Sequence, residues 1–310
     1  MMNILLPKPK RYFPVSKNPF AFTTGLRSLT KSQNVIEVDA DYPVYLQNKF
    51  QNRHESFTQY VQDFKLREKI KKATIQYLIK QISQEWPSYF SLEKSLNKLT
   101  LINKITSEII IFDSEDLSLI KSHKNNYEDA LDALMSQIQE DISVIETTPE
   151  LDHIVYLHLC SPNFWSAEEK IGKSFIKAHE SVPDMEKMKQ NYVSINHMLT
   201  HSGPFERFTW GLTTNKNLNQ HPLKQNGESR RFHQAANLVL RIERQVTVPM
   251  AVENSYLFFI RTYFEDIKQL NEFQKRRLKL SLETMSDAVL QYKGLSQYQE
   301  WLSNALSDNK

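Results

Sequence analysis

The residues best suited to chemistry fall on two stretches that alternate like β-strands. In LVLRIERQVTV (238–248), Leu238, Leu240 and Ile242 share one face, and Arg241, Glu243 and Gln245 share the other. In SYLFFIRTYF (255–264), Phe259, Arg261 and Tyr263 share a face, and a hairpin between the two stretches sets Phe259 and Tyr263 opposite the Arg–Glu–Gln row. An arginine fork matches a carboxylate, and a buried glutamate suits a cationic amine. Two readings of the row stand at this point. It is the wet face of a half-exposed antiparallel sheet, or it lines a cavity.

The nine histidines add less. His197 and His201 lie four apart on a helical stretch, a spacing that can chelate a metal, but no third ligand accompanies them, and a surface pair is the plainer account. His153 and His158 share a strand with odd separation and face opposite sides. His179, in FIKAHESVPD, precedes a helix break and in isolation says nothing more. The single cysteine, Cys160, closes a hydrophobic strand and reads as a small buried residue, not a thiolate ligand. Spacing alone yields no Ser–His–Asp set, nucleophile elbow or carboxylate pair.

These residues need a frame. Residues 1–20 carry Pro7, Pro9, Pro14 and Pro19 and read as an extended arm. Residues 42–95 have helical periodicity, stopped at Trp86-Pro87. KLTLIN and EIIIF (108–112) read as short strands, followed by a helix over 127–139. ISVIE (142–146) and HIVYLHLC (153–160) read as strands joined by a turn. Residues 166–200 read as helices broken near Pro183. FERFTWGLTT (205–214) alternates like a strand, 238–248 and 255–264 form an antiparallel hairpin with a longer loop, and the last 45 residues return to helix. The fold class is α+β.

Composition removes other classes. The chain has 310 residues, 40% of them hydrophobic, and no apolar run approaches the roughly 20 residues of a membrane span. The N-terminus lacks the charge-then-apolar order of a secretory signal, which gives the expectation of a cytoplasmic protein. A net charge of +3 is scattered among acids, so nucleic acid is not an expected partner; Lys275-Arg276-Arg277 reads as a solvated helix face. The six glycines lie far apart, which removes phosphate-cradling loops and the usual flavin or nicotinamide sites.

Several strings, in order along the chain, resemble the family of haem-dependent oxidative N-demethylase α-subunits. LRIERQ (240–245) followed by LFFIRTY (257–263) resembles L-R-V-E-R-Q, a spacer, then L-F-T-I-R-T-Y. QEDISVIE (139–146), CSPNFW (160–165), GKSFIKAHESVP (172–183), RFTWGL (207–212), GLRSLTKSQNVIEVDADY (25–42) and MSDAVLQYKGL (285–295) resemble further family segments. Thr209 stands where the family has Asn, Phe259 where it has Thr, and VTVPMAVENS after Gln245 lacks the family's basic residues.

The resemblance implies a PAS-like antiparallel sheet with flanking helices, a helical N-terminal region and a C-terminal helix. It divides the chain into the arm (1–20), a single haem-binding domain (21–305) and a tail (306–310). It implies haem b, dioxygen, and removal of a methyl group from a small methylated amine as formaldehyde, with electrons from separate flavin and iron–sulfur reductase subunits. His179 matches the family's histidine and becomes the candidate iron ligand. Arg244, Arg261 and Gln245 become candidates for holding the cofactor, and Glu243, Arg241, Arg207 and Tyr263 for catalysis. A non-catalytic haem- or small-ligand-binding module is the alternative, and a purely structural protein a third reading.

Overall fold

The computed structural model describes residues 4–148, 151–183, 189–225, 232–233 and 236–306. Along the chain run β1 (Arg27–Ser28), α1 (Tyr42–Tyr60), β2 (Val61–Asp63) and α2 (Glu68–Glu85). A four-stranded meander follows, β3 (Phe90–Ser95), β4 (Lys98–Asn103), β5 (Glu108–Asp113) and β6 (Leu119–Ser122). Then come α3 (Ala130–Met135), β7 (Asp141–Thr147), β8 (Asp152–His158), three short helices α4 (Ala167–Lys170), α5 (Phe175–Ala178) and α6 (Tyr192–His201), and strand β9 (Phe205–Thr213). The long hairpin β10 (Val239–Met250) and β11 (Ser255–Asp266) leads to α7 (Glu272–Glu283), α8 (Asp287–Tyr292) and α9 (Gln299–Leu306). Among the described residues no helix is long and apolar enough to cross a membrane.

The main sheet has the order β1-β9-β10-β11-β7-β8-β2, with every pairing antiparallel. Its five central strands, β7 to β11, lie in the spatial order second-first-fifth-fourth-third, with helices inserted between the second and third. That is the α+β class read from the sequence, in the PAS-like strand order that the family resemblance implies.

The sheet has no wet face at its centre. One face packs on α1, α2 and the segment 35–46, with Ile142, Val144, Val246, Leu257 and Phe259 in that core. Further along the same face, Leu240, Ile242 and Tyr263 pack with Val15 of the arm and with α7–α9. The other face is covered by α4–α6, which bring Ala167, Ala178 and Leu199 onto Ile145, Leu157 and Tyr256. The half-exposed sheet is therefore corrected to one buried on both sides, and a polar residue on either face needs a buried partner.

Other corrections are local. Residues 90–95 are a strand and not helix, since α2 stops at Glu85 with Trp86 as its cap. The helix expected over 127–139 is one short element, Ala130–Met135, capped by Asp129 accepting the Asp132 N–H. From residue 4 on the arm is extended, but it is strapped down: Val15 is fully buried, Lys10 meets Glu37 at 2.5 Å, and Arg277 of α7 donates to the Val15 carbonyl. Of the 166–200 stretch, residues 184–188 lie outside the described residues.

Candidate functional site

Register decides which polar residues meet. On β10, Arg241, Glu243 and Gln245 stand beside Gly211, Thr209 and Arg207 of β9 and beside Phe264, Thr262 and Ile260 of β11. Cross-strand neighbours share a face, so this set looks toward α4–α6. Phe259, Arg261 and Tyr263 pair instead with Val246, Arg244 and Ile242, on the opposite face. The expectation that Phe259 and Tyr263 stand against the Arg–Glu–Gln row is thereby overturned. An antiparallel hairpin fixes face parity through its loop, and the Pro249-containing strand end and the turn Ala251–Glu253 set it the other way.

Glu243 is the centre of the first set. Its Oε1 accepts from Asn163 Nδ2 at 3.2 Å, and its Oε2 accepts from Gln245 Nε2 at 3.0 Å and Thr209 Oγ1 at 3.3 Å. Three donors from three segments hold one carboxylate in a single orientation on a half-buried side chain. Arg207 lies one step along the same face, opposite Gln245. Its Nε is fully enclosed and finds no hydrogen-bond partner among the described residues, although the residue as a whole is only half-buried. Burial pulls its pKa down, and the charge of Glu243 opposes that pull. An enclosed guanidinium N–H without a partner favours an anion beside it.

His179 closes the site from the α5 side. Its Nδ1 lies 2.8 Å from the Phe175 carbonyl, and its ring sits 4.2 Å from the Phe175 ring and 5.6 Å from Trp165. Burial lowers its pKa to about 4, with the Arg207 and Lys170 charges pushing the same way and the Phe175 carbonyl and Glu243 pushing back. The ring is therefore neutral at pH 7. A carbonyl can only accept, so Nδ1 carries the proton and Nε2 keeps its lone pair. That is the tautomer of a histidine that ligates metal through Nε2, with a carbonyl fixing the ring from behind. Tyr192 OH and Asn196 Oδ1 on α6, and Thr247 Oγ1 on β10, are also enclosed without hydrogen-bond partners among the described residues. Of these, Thr247 shares the β10 face of Arg241, Glu243 and Gln245.

Arg241 shares this face but does structural work. Its guanidinium donates to the carbonyls of Ser161 at 2.8 Å, Asn217 at 2.9 Å and Leu218 at 3.2 Å. It fastens two loops that also bond to each other through Phe164 N–H to Gln220 O and Gln220 N–H to Pro162 O. One of these loops presents Asn163.

The remaining candidates lie on the other face, bound to carboxylates. Arg244 Nε bonds Glu206 at 2.6 Å, and its other nitrogens reach the carbonyls of Val35 and Asn34. Arg261 bonds Asp39 at 3.0 Å and lies 3.5 Å over the Tyr45 ring. Tyr263 donates to Glu37, which also takes Lys10 and Tyr12. These three side chains lock the 34–39 segment to the sheet.

Two more clusters can be placed. Asp141, His158 and Cys160 offer ligand atoms within 4.8 Å of one another. They are fully enclosed, and the Lys49 ammonium sits 3.7 Å from Asp141, while Asp141 is taken by the Cys160 and Ser161 N–H groups. Burial raises the Cys160 thiol and lowers His158 to about 4, so this knot is neutral at its sulfur and imidazole. His197 and His201 stack at 4.3 Å on the exposed side of α6, as a surface pair.

Sequence reasoning passed over Asn163, Trp165 and Phe175 as site residues. All three sit in strings that carried the family resemblance, CSPNFW and GKSFIKAHESVP. Their meeting with Glu243 and His179 depends on loop packing that no periodicity reveals.

The helix-covered face of this PAS-like sheet thus holds a neutral imidazole, a guanidinium with an unused Nε and a tethered carboxylate. The family model described as "Haem-dependent oxidative N-demethylase, alpha subunit-like" matches residues 25–303, and the chain belongs to that family.

Proposed function

We propose that this chain is the haem b-binding subunit of an oxygen-dependent oxidative N-demethylase, acting on a small methylated amine. The observation that carries the proposal is His179, a neutral imidazole whose Nδ1 proton is bonded to a carbonyl and whose Nε2 lone pair is available. His179 would hold the iron. Arg207, with its enclosed and unused Nε, would pair with a propionate. The donor chemistry fits haem, which needs one axial donor and cations for its carboxylates.

When bound, haem supplies the activation of oxygen that converts N–CH3 to N–H and formaldehyde, with two electrons and two protons consumed and one water released per O2. The protein's part is binding and orientation. Glu243 offers its carboxylate to the N–H of a cationic amine, and Asn163, Gln245 and Thr209 keep it from swinging away. Of the two single-residue departures from the family strings, Thr209 touches this site, through its bond to Glu243. Phe259 is 1% exposed on the opposite face and packs toward Tyr77. Substrate choice is therefore expected to turn on Thr209. The electrons would come from separate flavin and iron–sulfur subunits.

The test is an absorption spectrum of the protein after hemin addition, before and after dithionite and carbon monoxide, for the wild type and His179→Ala. A stoichiometric Soret band in the wild type, lost or greatly weakened in the variant, is expected. Normal loading with an unchanged spectrum in His179→Ala removes His179 as ligand. Formaldehyde release from methylated amines, with a reductant supplied, separates the enzyme from a haem- or small-ligand-binding module without turnover.

A further inference from the structure

The ring of His179 is held by Phe175, and Phe175 is held by something else. Asp152, at the start of β8, is fully buried, and its two oxygens lie 3.2 and 3.1 Å from the Phe175 N–H. Among the described residues no cation pairs with it. One residue thus receives a carboxylate on its N–H while its carbonyl and ring hold the imidazole.

The approach to Phe175 is stitched to the same strand. Gly172 N–H donates to Ile154 O at 2.8 Å, and Ile154 N–H donates to Lys173 O at 3.0 Å. Gly172 has φ +75, and a Cβ there would meet the Phe64 ring at 3.1 Å, so this turn needs glycine. Ser174 caps the single turn by accepting the Lys177 N–H. An isolated buried carboxylate is costly. Here it holds one backbone amide, and that amide opens the four-residue helix that ends at His179.

We infer that Asp152 is a positioning residue for His179: by holding the Phe175 backbone through its N–H, it fixes where the imidazole sits and which nitrogen carries the proton. The inference rests on the reading of His179 as the iron ligand for its functional meaning, but not for its geometry. Asp152 does not touch the site. It acts by anchoring Phe175, whose carbonyl accepts the His179 backbone N–H at 3.1 Å and faces Nδ1, which selects the Nδ1–H tautomer and presents Nε2. The role requires an acceptor oxygen and no charge, so Asp152→Asn keeps it and Asp152→Ala removes it.

The experiment uses the full chain. In the haem-free protein, 15N chemical shifts of the His179 ring report the tautomer, and amide exchange reports protection of the Phe175 N–H. Wild type and Asp152→Asn are expected to show Nδ1–H and a protected amide. Asp152→Ala is expected to show mixed tautomers and faster exchange, and after hemin loading a haem off-rate raised about tenfold or more. An unchanged tautomer in Asp152→Ala, or a loss in Asp152→Asn as complete as in Asp152→Ala, overturns the inference. Should Asp152→Ala not fold, the wild type decides alone, because an Nε2–H ring or an unprotected Phe175 amide overturns it equally. Failure of the ligand reading appears separately, as haem retained by His179→Ala with the tautomer result intact.

Discussion

Arg244 and Arg261 stand directly opposite each other on β10 and β11, 2% and 0% exposed, each neutralised by its own carboxylate: Glu206 for one, Asp39 for the other. Like charges opposed across a ladder repel, and here the repulsion is answered by acids from β9 and from the segment before α1. Removing one acid leaves a buried guanidinium uncompensated beside another. Asp39→Asn is expected to cost about 3–5 kcal/mol, read as a lower urea midpoint at unchanged m-value. A variant within 0.5 kcal/mol of wild type would show that the Tyr45 ring beneath Arg261 suffices.

On the other face the same residue type behaves differently. Arg207→Leu removes a guanidinium whose enclosed Nε has no partner among the described residues, so stability should change little or rise. Haem affinity should fall roughly 10- to 100-fold, the worth of a charged hydrogen bond of about 1.5–3 kcal/mol. Hemin titration with a parallel melt checks both. Unchanged affinity would take the propionate role away from Arg207.

Glu243→Gln keeps the size and the hydrogen-bonding reach of the side chain. Haem loading should be preserved while turnover falls by about 100-fold or more, as for loss of the charged group that orients the amine. Formaldehyde release at saturating amine is the readout, and full activity would exclude a catalytic carboxylate at this position.

Glu140 supplies a pH dependence. It is fully buried, its Oε1 accepts the Glu37 N–H at 2.8 Å, and burial lifts its pKa to about 7, against the pull of Arg261 and Arg244. A carboxyl that titrates higher in the folded chain than in the unfolded one stabilises below its unfolded pKa, and that contribution is lost as pH rises through 7. Glu140→Gln keeps the accepting oxygen and cannot ionise. Its stability relative to wild type should therefore grow from pH 5 to pH 8 in urea melts. A constant difference across that window would mean that Glu140 titrates normally.

Much of the frame was legible. The strings 142–146, 205–214, 238–248 and 255–264 appear as strands within a few residues of where alternation put them, because β-branched and aromatic residues at period two have few other uses. Alternation also placed Arg241, Glu243 and Gln245 on one face correctly. Register was not legible, since a change of one residue in the hairpin connection exchanges the faces of β11. FSLEKS (90–95) hid as helix because only Phe90 of this edge strand is buried, so no apolar period marks it. The arginines were indistinguishable for a different reason. What separates Arg207 from Arg244 and Arg261 is the presence of Glu37, Asp39 and Glu206 beside the latter two, and two of those acids come from about 200 residues away in sequence.

From Arg244 onward, neighbouring residues of the central hairpin answer to different demands. Val246 and Arg244 belong to the packed interior and its ion pairs, while Glu243, Gln245 and, across the ladder, Arg207 and Thr209 hold one another or face open donor sites. A lineage could therefore exchange Thr209 for a larger or more polar residue, and adjust Gln245 to match, with the melting temperature nearly untouched. Relatives that prefer different amines are expected to vary at these alternate positions and to agree at the ones between, so that the ladder itself separates the inheritance of substrate from the inheritance of fold.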